Sequence, residues 1–295
     1  VTSPAEPLIQ YLRQLETSGQ THVHVDDEAR QLLRAFYRRA QGGQASVASQ
    51  AAAVPTVVGA GGSDASTTRA PSELAAPVAS SAALPEIQGD SPEQCLSGLK
   101  AQAQDWAPAK ALGGFRQTMV FSSGNLGADL MLVGEAPGFD EERLGEPFVG
   151  MAGQKLDAIL RAMGTDRQQV YLSNILKFRP QMPNQTVNNR KPTAKELEVW
   201  LPFLQAEVEL VRPKVIIALG VTTARALLGL DQSVEDMRGE FHTYRGTPLR
   251  VTFHPSYILN DEATPEKRML WEDMLAVMER LGMPISEKQR AYFKR

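Results

Sequence analysis

The chain has 295 residues, 42% hydrophobic and 22% charged, with a formal net charge of −3, which leaves length for one large core or two modest ones and excludes a histone-like binder working by bulk attraction. The single cysteine, Cys95, excludes an intrachain disulfide framework. With no long apolar run and no basic-then-apolar leader pattern, the sequence points to a cytoplasmic protein that does not engage a membrane. The acidic excess sits at one end. Residues 1–90 carry 6 basic and 9 acidic side chains and residues 91–295 carry 25 of each, so any polyanion would be met by a local patch of the second part.

Residues 1–40 read as a small helical segment. EPLIQYLRQLET (6–17) and DDEARQLLRAFYRR (26–39) predict two short helices, the second with Leu32, Leu33, Phe36 and Tyr37 on one face. Between them THVHV (21–25) alternates like a strand, with His22 and His24 on one side. Two imidazoles without further ligands do not make a metal site, and none is expected. Residues 41–90 read as a flexible linker: over 41–85 there is no aromatic residue and there are only three charges, too little apolar surface to offset the entropy of ordering.

From Ser91 the composition changes, and residues 91–295 read as one domain. Ser91, Pro92 and Gln94 form a helix-start signal. DLMLV (129–133) predicts a buried strand, Leu156, Ile159, Leu160 and Met163 a helix, VYLSNIL (170–176) a strand, and Leu197, Leu201, Leu204 and Val208 a second helix. KVIIALG (214–220) is a strand entering a short helix, LRVTF (249–253) the last strand, and Leu270 to Met278 belong to a closing helix. This alternation predicts an α/β fold with a parallel sheet between helices, whose sites lie past the carboxyl ends of the strands.

The loops at those ends carry the chemistry. Gly134-Glu135-Ala136-Pro137-Gly138 is neither a Walker loop nor a dinucleotide fingerprint, but it sets a carboxylate at a strand end. Pro147-Phe148-Val149-Gly150 offers an aromatic platform for a planar ligand, and the helix start near Gly153 offers N–H groups to an anion. Asn174 ends the second strand with an amide able to read a base edge, followed by Lys177 and Arg179. His254-Pro255-Ser256-Tyr257-Ile258-Leu259 puts an imidazole, a hydroxyl and an apolar tip in one loop. Lys177, Arg179, Arg190, Lys191 and Lys195 cluster around the second loop, as a solvated face or as phosphate contacts, and Arg238, Thr252 and Ser256 are further phosphate candidates.

GEAPG, GEPFVGMAG, SNILKFRP, NNRKPT, IIALG, MRG and HPSYIL, in that order and spacing over roughly residues 91–285, resemble the fourth family of uracil-DNA glycosylases. The resemblance implies a three-layer α-β-α sandwich around a central four-stranded parallel sheet. It implies monofunctional hydrolysis of the N-glycosidic bond of deoxyuridine in single- or double-stranded DNA, by base flipping, leaving an abasic site. By position it makes Glu135 the acid that places or activates water, Phe148 the ring that stacks on uracil, Asn174 the amide that reads its edge and His254 the donor to its O2. Ala136 joins the substrate-binding residues. The DNA-binding set is Lys177, Arg179, Arg190, Arg238, Ser256, Tyr257, Ile258 and Leu259, with the HPSYIL tip entering the DNA where the nucleotide leaves.

The sequence departs from that family in two ways. Its members resemble one another in four cysteines that hold an iron–sulfur cluster, and here Ala107, Lys110, Phe178 and Trp200 fall at those positions. None ligates iron, so no cofactor is expected, and Trp200, Phe178 and the segment near Trp106 are expected to pack as an apolar plug. An extra stretch, Gln181–Val187, precedes Asn188; a covalent-trapping branch of the family carries a His-bearing insert near here, but no His lies between His24 and His242. A glycosylase of the same fold for another deaminated base, and a DNA-binding protein without catalysis, remain alternatives. A monomer is expected, with residues 1–40 available to a protein partner.

Overall fold

A computed structural model describes residues 84–259 and 264–293; the helices, linker and histidine pair expected before residue 84 lie outside the described residues. In chain order the elements are α1 (Pro92–Gln104), α2 (Ala107–Leu112), β1 (Phe115–Met119), β2 (Ser122–Gly124), β3 (Leu130–Gly134), α3 (Phe139–Leu144), α4 (Met151–Met163), β4 (Tyr171–Asn174), β5 (Phe178–Pro180) and α5 (Ala194–Val211). They continue with β6 (Val215–Leu219), α6 (Val221–Leu228), α7 (Val234–Met237), β7 (Phe241–Tyr244), β8 (Thr247–Thr252), a 3-10 turn (Pro255–Ile258), α8 (Pro265–Arg280) and α9 (Glu287–Arg290). Among these residues no helix is long and apolar enough to cross a membrane.

Local chemistry sets the helix starts. Ser91 caps α1 by accepting from the Gln94 N–H, and Thr193 and Glu196 exchange side-chain-to-backbone bonds at the start of α5. The end of the expected linker is not free: Glu86 N–H donates to Gln102 Oε1 at 2.8 Å and Gln102 Nε2 returns a bond to Glu86 O at 2.7 Å, tying it to α1.

Four parallel strands, in the order β4-β3-β6-β8, form the centre of the sheet. β3 (LMLVG) and β6 (VIIAL) are buried at every residue, the mark of strands covered on both faces. The sheet is wider than the expected four strands: β2 and β7 add antiparallel edges, and β1 pairs with β5 in a separate ribbon. These additions are three to five residues long, too short to print a periodicity.

Leaving β3 the chain moves outward to β4; leaving β4 it returns across β3 to β6 and on to β8. Right-handed crossovers then put α4 on one face and α5 and α6 on the other. α8 packs on α4 and β8, and α1 and α2 pack on α5, completing the two helical layers. The chain reverses direction between the neighbours β3 and β6, and such a switch point opens a crevice at the carboxyl ends.

The expected plug is present. Trp200 lies 5.4 Å from Phe178, 6.0 Å from Phe115 and 5.5 Å from Phe203, ring centre to ring centre, and Trp106 meets Phe203 edge-on at 5.0 Å while its indole N–H donates to Val199 O. Ala107 and Lys110 sit exposed on α2, Lys110 paired with Asp105, and Cys95 is buried in α1. These residues do not fit an iron–sulfur cluster, because two of its four positions are filled by packed rings and the other two by Ala107 and Lys110, none of them a thiolate.

Candidate active site

The register brings the strand ends together. Gly134 of β3 pairs with Asn174 of β4, and Leu219 of β6 pairs with Thr252 of β8, so the loops that follow all open on one side. There they line a cleft of about 320 Å³, with Glu135, Ala136, Phe148, Asn174, Gly220, His254, Ser256 and Tyr257 in its wall. Five sequence-predicted residues, Glu135, Ala136, Phe148, Asn174 and His254, therefore meet in one place.

Phe148 is held under strain. Its φ is 57°, a left-handed conformation that bulky residues avoid, and its side chain is 5% exposed. Arg167, bound to Asp157 of α4, donates to Phe148 O at 2.6 Å and holds the peptide there. Two glycines make the conformation possible. A methyl group at Gly153 would strike the Phe148 carbonyl, and one at Gly134 would strike both the Asn174 amide and the Phe148 ring. Gly153 thus serves close packing inside α4, which starts earlier, after Gly150.

A residue that the sequence reading passed over ties these loops together. Glu141 in α3 accepts the Gly138 N–H with one carboxylate oxygen and the Val149 and Gly150 N–H groups with the other, all at 3.0 Å. It clamps the loop after β3 to the loop that carries Phe148, through backbone partners that leave no mark in a sequence. Asn189 is a second such residue: Arg179 Nε donates to its Oδ1 at 2.8 Å, which turns its amino group toward Gly138 at the cleft.

His254 is oriented by its own loop. The Ser256 N–H donates to Nδ1 at 3.3 Å and the Ser256 hydroxyl lies 2.8 Å from the same nitrogen. An Nδ1 that accepts a backbone N–H carries no proton, so the neutral ring is protonated on Nε2. Burial pushes the imidazole below its ordinary range, and the nearby carboxylates of Glu135 and Glu141 only partly oppose it. The ring stands 6.4 Å from Phe148. Asn174 is 3% exposed and lines the cleft.

The expected phosphate contacts divide. Lys177 has no exposed surface and pairs with Glu207 in the core. Arg179 is 2% exposed and donates to Glu142, Asn189 and the carbonyls of Thr186 and Asn188, fixing the Gln181–Val187 insert. Arg190 lines the cleft but forks onto both oxygens of Glu196 at 2.6 and 2.7 Å. Arg238 forks onto buried Asp273, which also takes Arg250 and Thr252. A carboxylate claims each cation, and for Lys177, Arg179 and Arg238 it is distant in sequence, which local reading of basic residues does not reveal. Glu142 records this: burial opposes its ionisation, but Arg179 and Arg116 outweigh burial and hold its carboxyl below the usual range. Ile258 is also withdrawn, 3% exposed beneath the 3-10 turn, so the tip presents Ser256, Tyr257 and Leu259 alone. Lys191 remains exposed at the cleft.

Comparison with known proteins gives the family of the chain. Relatives include the Type-4 uracil-DNA glycosylases of Thermotoga maritima, 38% identical over 54% of this chain and 81% of that protein, and of Pyrobaculum aerophilum, 36% identical over 50% and 77%. That of Archaeoglobus fulgidus is 33% identical over 58% of this chain and 83% of its own length. The sequence pattern of the Uracil DNA glycosylase superfamily matches residues 121–275, a span that runs from β2 into α8 and takes in every loop of the cleft. The chain belongs to the Uracil DNA glycosylase superfamily.

Proposed function

We propose that the protein hydrolyses the N-glycosidic bond of deoxyuridine in DNA, releasing uracil and leaving an abasic site for excision repair. The observation that carries this reading is the meeting of a planar ring, a nearly buried amide, a neutral imidazole and a carboxylate in one cleft at the switch point of the sheet. The cleft is recessed at the strand ends, so the nucleotide must leave the base stack to enter it. Phe148 stacks on the pyrimidine, and the Asn174 amide accepts from N3–H and donates to O4. As the bond breaks, negative charge gathers on the leaving base, and the Nε2–H of His254 donates to O2. Glu135 orients water toward the sugar and favours its developing positive charge. Exposed Ser256, Tyr257 and Leu259 fill the gap in the duplex, and Lys191 meets a phosphate.

The reaction is monofunctional in this reading. Lys177, the lysine nearest the strand-end motifs, is fully buried and its ammonium is engaged by three acceptors, so it does not attack the sugar. We also assign activity to residues 91–295, working as a monomer, and a tethered protein-binding role to residues 1–40. A chain lacking residues 1–83 should therefore release base at the full rate.

The test is release of free base from single- and double-stranded oligonucleotides carrying uracil, hypoxanthine, xanthine or a mismatched normal base. Uracil release with an intact strand and no borohydride-trapped adduct supports the reading. Release of a purine but not uracil would assign the cleft to another deaminated base, and release of none would leave a DNA-binding protein.

A further inference from the structure

Behind Asn174, away from the cleft, lies a buried ionic network that bond cleavage does not touch. The Lys177 ammonium donates to Ser173 Oγ at 2.8 Å, to Asn174 O at 2.8 Å and to Glu207 Oε1, and lies 4.6 Å from the centre of the Phe121 ring. The other Glu207 oxygen accepts from Ser173 Oγ at 2.8 Å and from the Tyr171 hydroxyl at 2.9 Å. The Tyr171 oxygen is 2.8 Å from Ser122 Oγ. All three ammonium hydrogens are satisfied, and neither charged side chain has any exposed surface.

Stability alone does not account for such a pair. Two charges taken out of water gain little net over a well-packed apolar pair of the same volume, because desolvation offsets their attraction. What the pair supplies is direction. Lys177 follows Asn174 by three residues, and its side chain folds back to hold the Asn174 carbonyl from the core side. The Lys177 carbonyl is itself held by the Val120 N–H at 2.8 Å, and the Ile175 N–H by Gly134 O at 3.0 Å. The turn after β4 is thus held at the Asn174–Ile175 peptide from both sides and again at the Lys177 carbonyl, and Glu207 fixes the ammonium from α5. Desolvation presses the Lys177 ammonium toward neutrality and the Glu207 carboxylate beside it opposes that shift, so the ammonium depends on this one partner for its charge.

We propose that Lys177 and Glu207 are positioning residues for base recognition: by holding the Asn174 peptide from behind, they aim its amide into the cleft and thereby set discrimination of uracil from cytosine. The proposal rests on the reading of Asn174 as the group that contacts the base edge. A purely structural network would affect melting and leave the choice of base per folded molecule unchanged.

The experiment pairs Lys177→Met with Glu207→Leu, so that no buried charge is orphaned, and runs Asn174→Ala beside it. The double variant should melt within about 5 °C of wild type. Its single-turnover release of uracil at saturating enzyme should fall about tenfold to a hundredfold, the scale of a sub-ångström to one-ångström misplacement. The ratio of uracil to cytosine release should fall with it, and affinity for DNA without uracil should stay within about twofold, since such DNA does not engage Asn174. A folded double variant with wild-type rate and ratio would overturn the proposal. If the double variant does not fold, Ser173→Ala, which removes one ligand from each charge, decides by the same readouts: a lower rate and ratio support the proposal, unchanged ones overturn it. Should Asn174→Ala itself keep the wild-type rate, the reading of Asn174 fails and the proposal falls with it; an impaired Asn174→Ala beside an unimpaired double variant removes the positioning role alone.

Discussion

The cleft and the aromatic plug are built on opposite rules. In the plug, Trp106, Phe115, Phe178, Trp200 and Phe203 meet in tilted and edge-on contacts around α5, and apolar burial does the work. In the cleft, a phenylalanine is strained, a polar amide is nearly buried and an imidazole is kept neutral. A protein tolerates such local costs at a functional site. The plug should therefore answer to stability measurements and the cleft to kinetic ones.

The largest expected effect is in the plug. Trp200→Ala should destabilise the domain by about 3–5 kcal/mol in denaturant titrations, the usual result of truncating a buried aromatic, with base release per folded molecule unchanged. Chelators and oxidants should alter neither stability nor rate. A stable Trp200→Ala variant would remove the distinction from the plug's side. In the cleft, His254→Ala should lower single-turnover release about 10²–10³-fold, as for loss of one donor to a developing anion, with little change in melting or DNA affinity. The pH profile follows from the same residue. Its folded pKa is lowered, so the neutral donor persists below the ordinary histidine range, and activity should fall only as pH drops through that lowered value. A fall beginning above the ordinary range would assign the titration to another group.

An intermediate effect belongs to Glu141, which lines the cleft and accepts three backbone N–H groups from two loops. Glu141→Gln weakens three charge-assisted bonds and should cost roughly tenfold in rate, measured at saturating enzyme, with a smaller loss of stability. The smallest effect belongs to the rim. Lys191→Gln should weaken DNA binding a few-fold and reduce the slope of log affinity against log salt by about 0.9, equally for DNA with and without uracil. An unchanged slope would free Lys191 from phosphate contact.

The parallel core was legible because β3 and β6 are continuous apolar runs and α4 repeats Leu156, Ile159, Leu160 and Met163 at helical spacing. Glu135, Phe148, Asn174 and His254 were legible because each stands beside Gly, Pro or a strand end, where chemistry collects. What one sequence does not show is which distant carboxylate meets which cation. Lys177 with Glu207, Arg179 with Glu142 and Arg238 with Asp273 are pairs formed by the fold across layers, and they turn apparent DNA contacts into internal struts. Glu141 and Arg167 escaped for a related reason: what they hold at the Phe148 loop are backbone groups, which carry no residue-type signature.

The assignment of the cleft to uracil stands or falls on Asn174. An amide offers one donor and one acceptor, matching O4 and N3–H of uracil, whereas a carboxylate offers acceptors alone and matches the cytosine amino group. Single-turnover release from paired oligonucleotides that differ only in uracil or cytosine, compared for wild type and Asn174→Asp, measures this match. The expected result is a fall of about a hundredfold on uracil and the appearance of cytosine release. An Asn174→Asp protein that is folded, cleaves uracil at the wild-type rate and still ignores cytosine would contradict it.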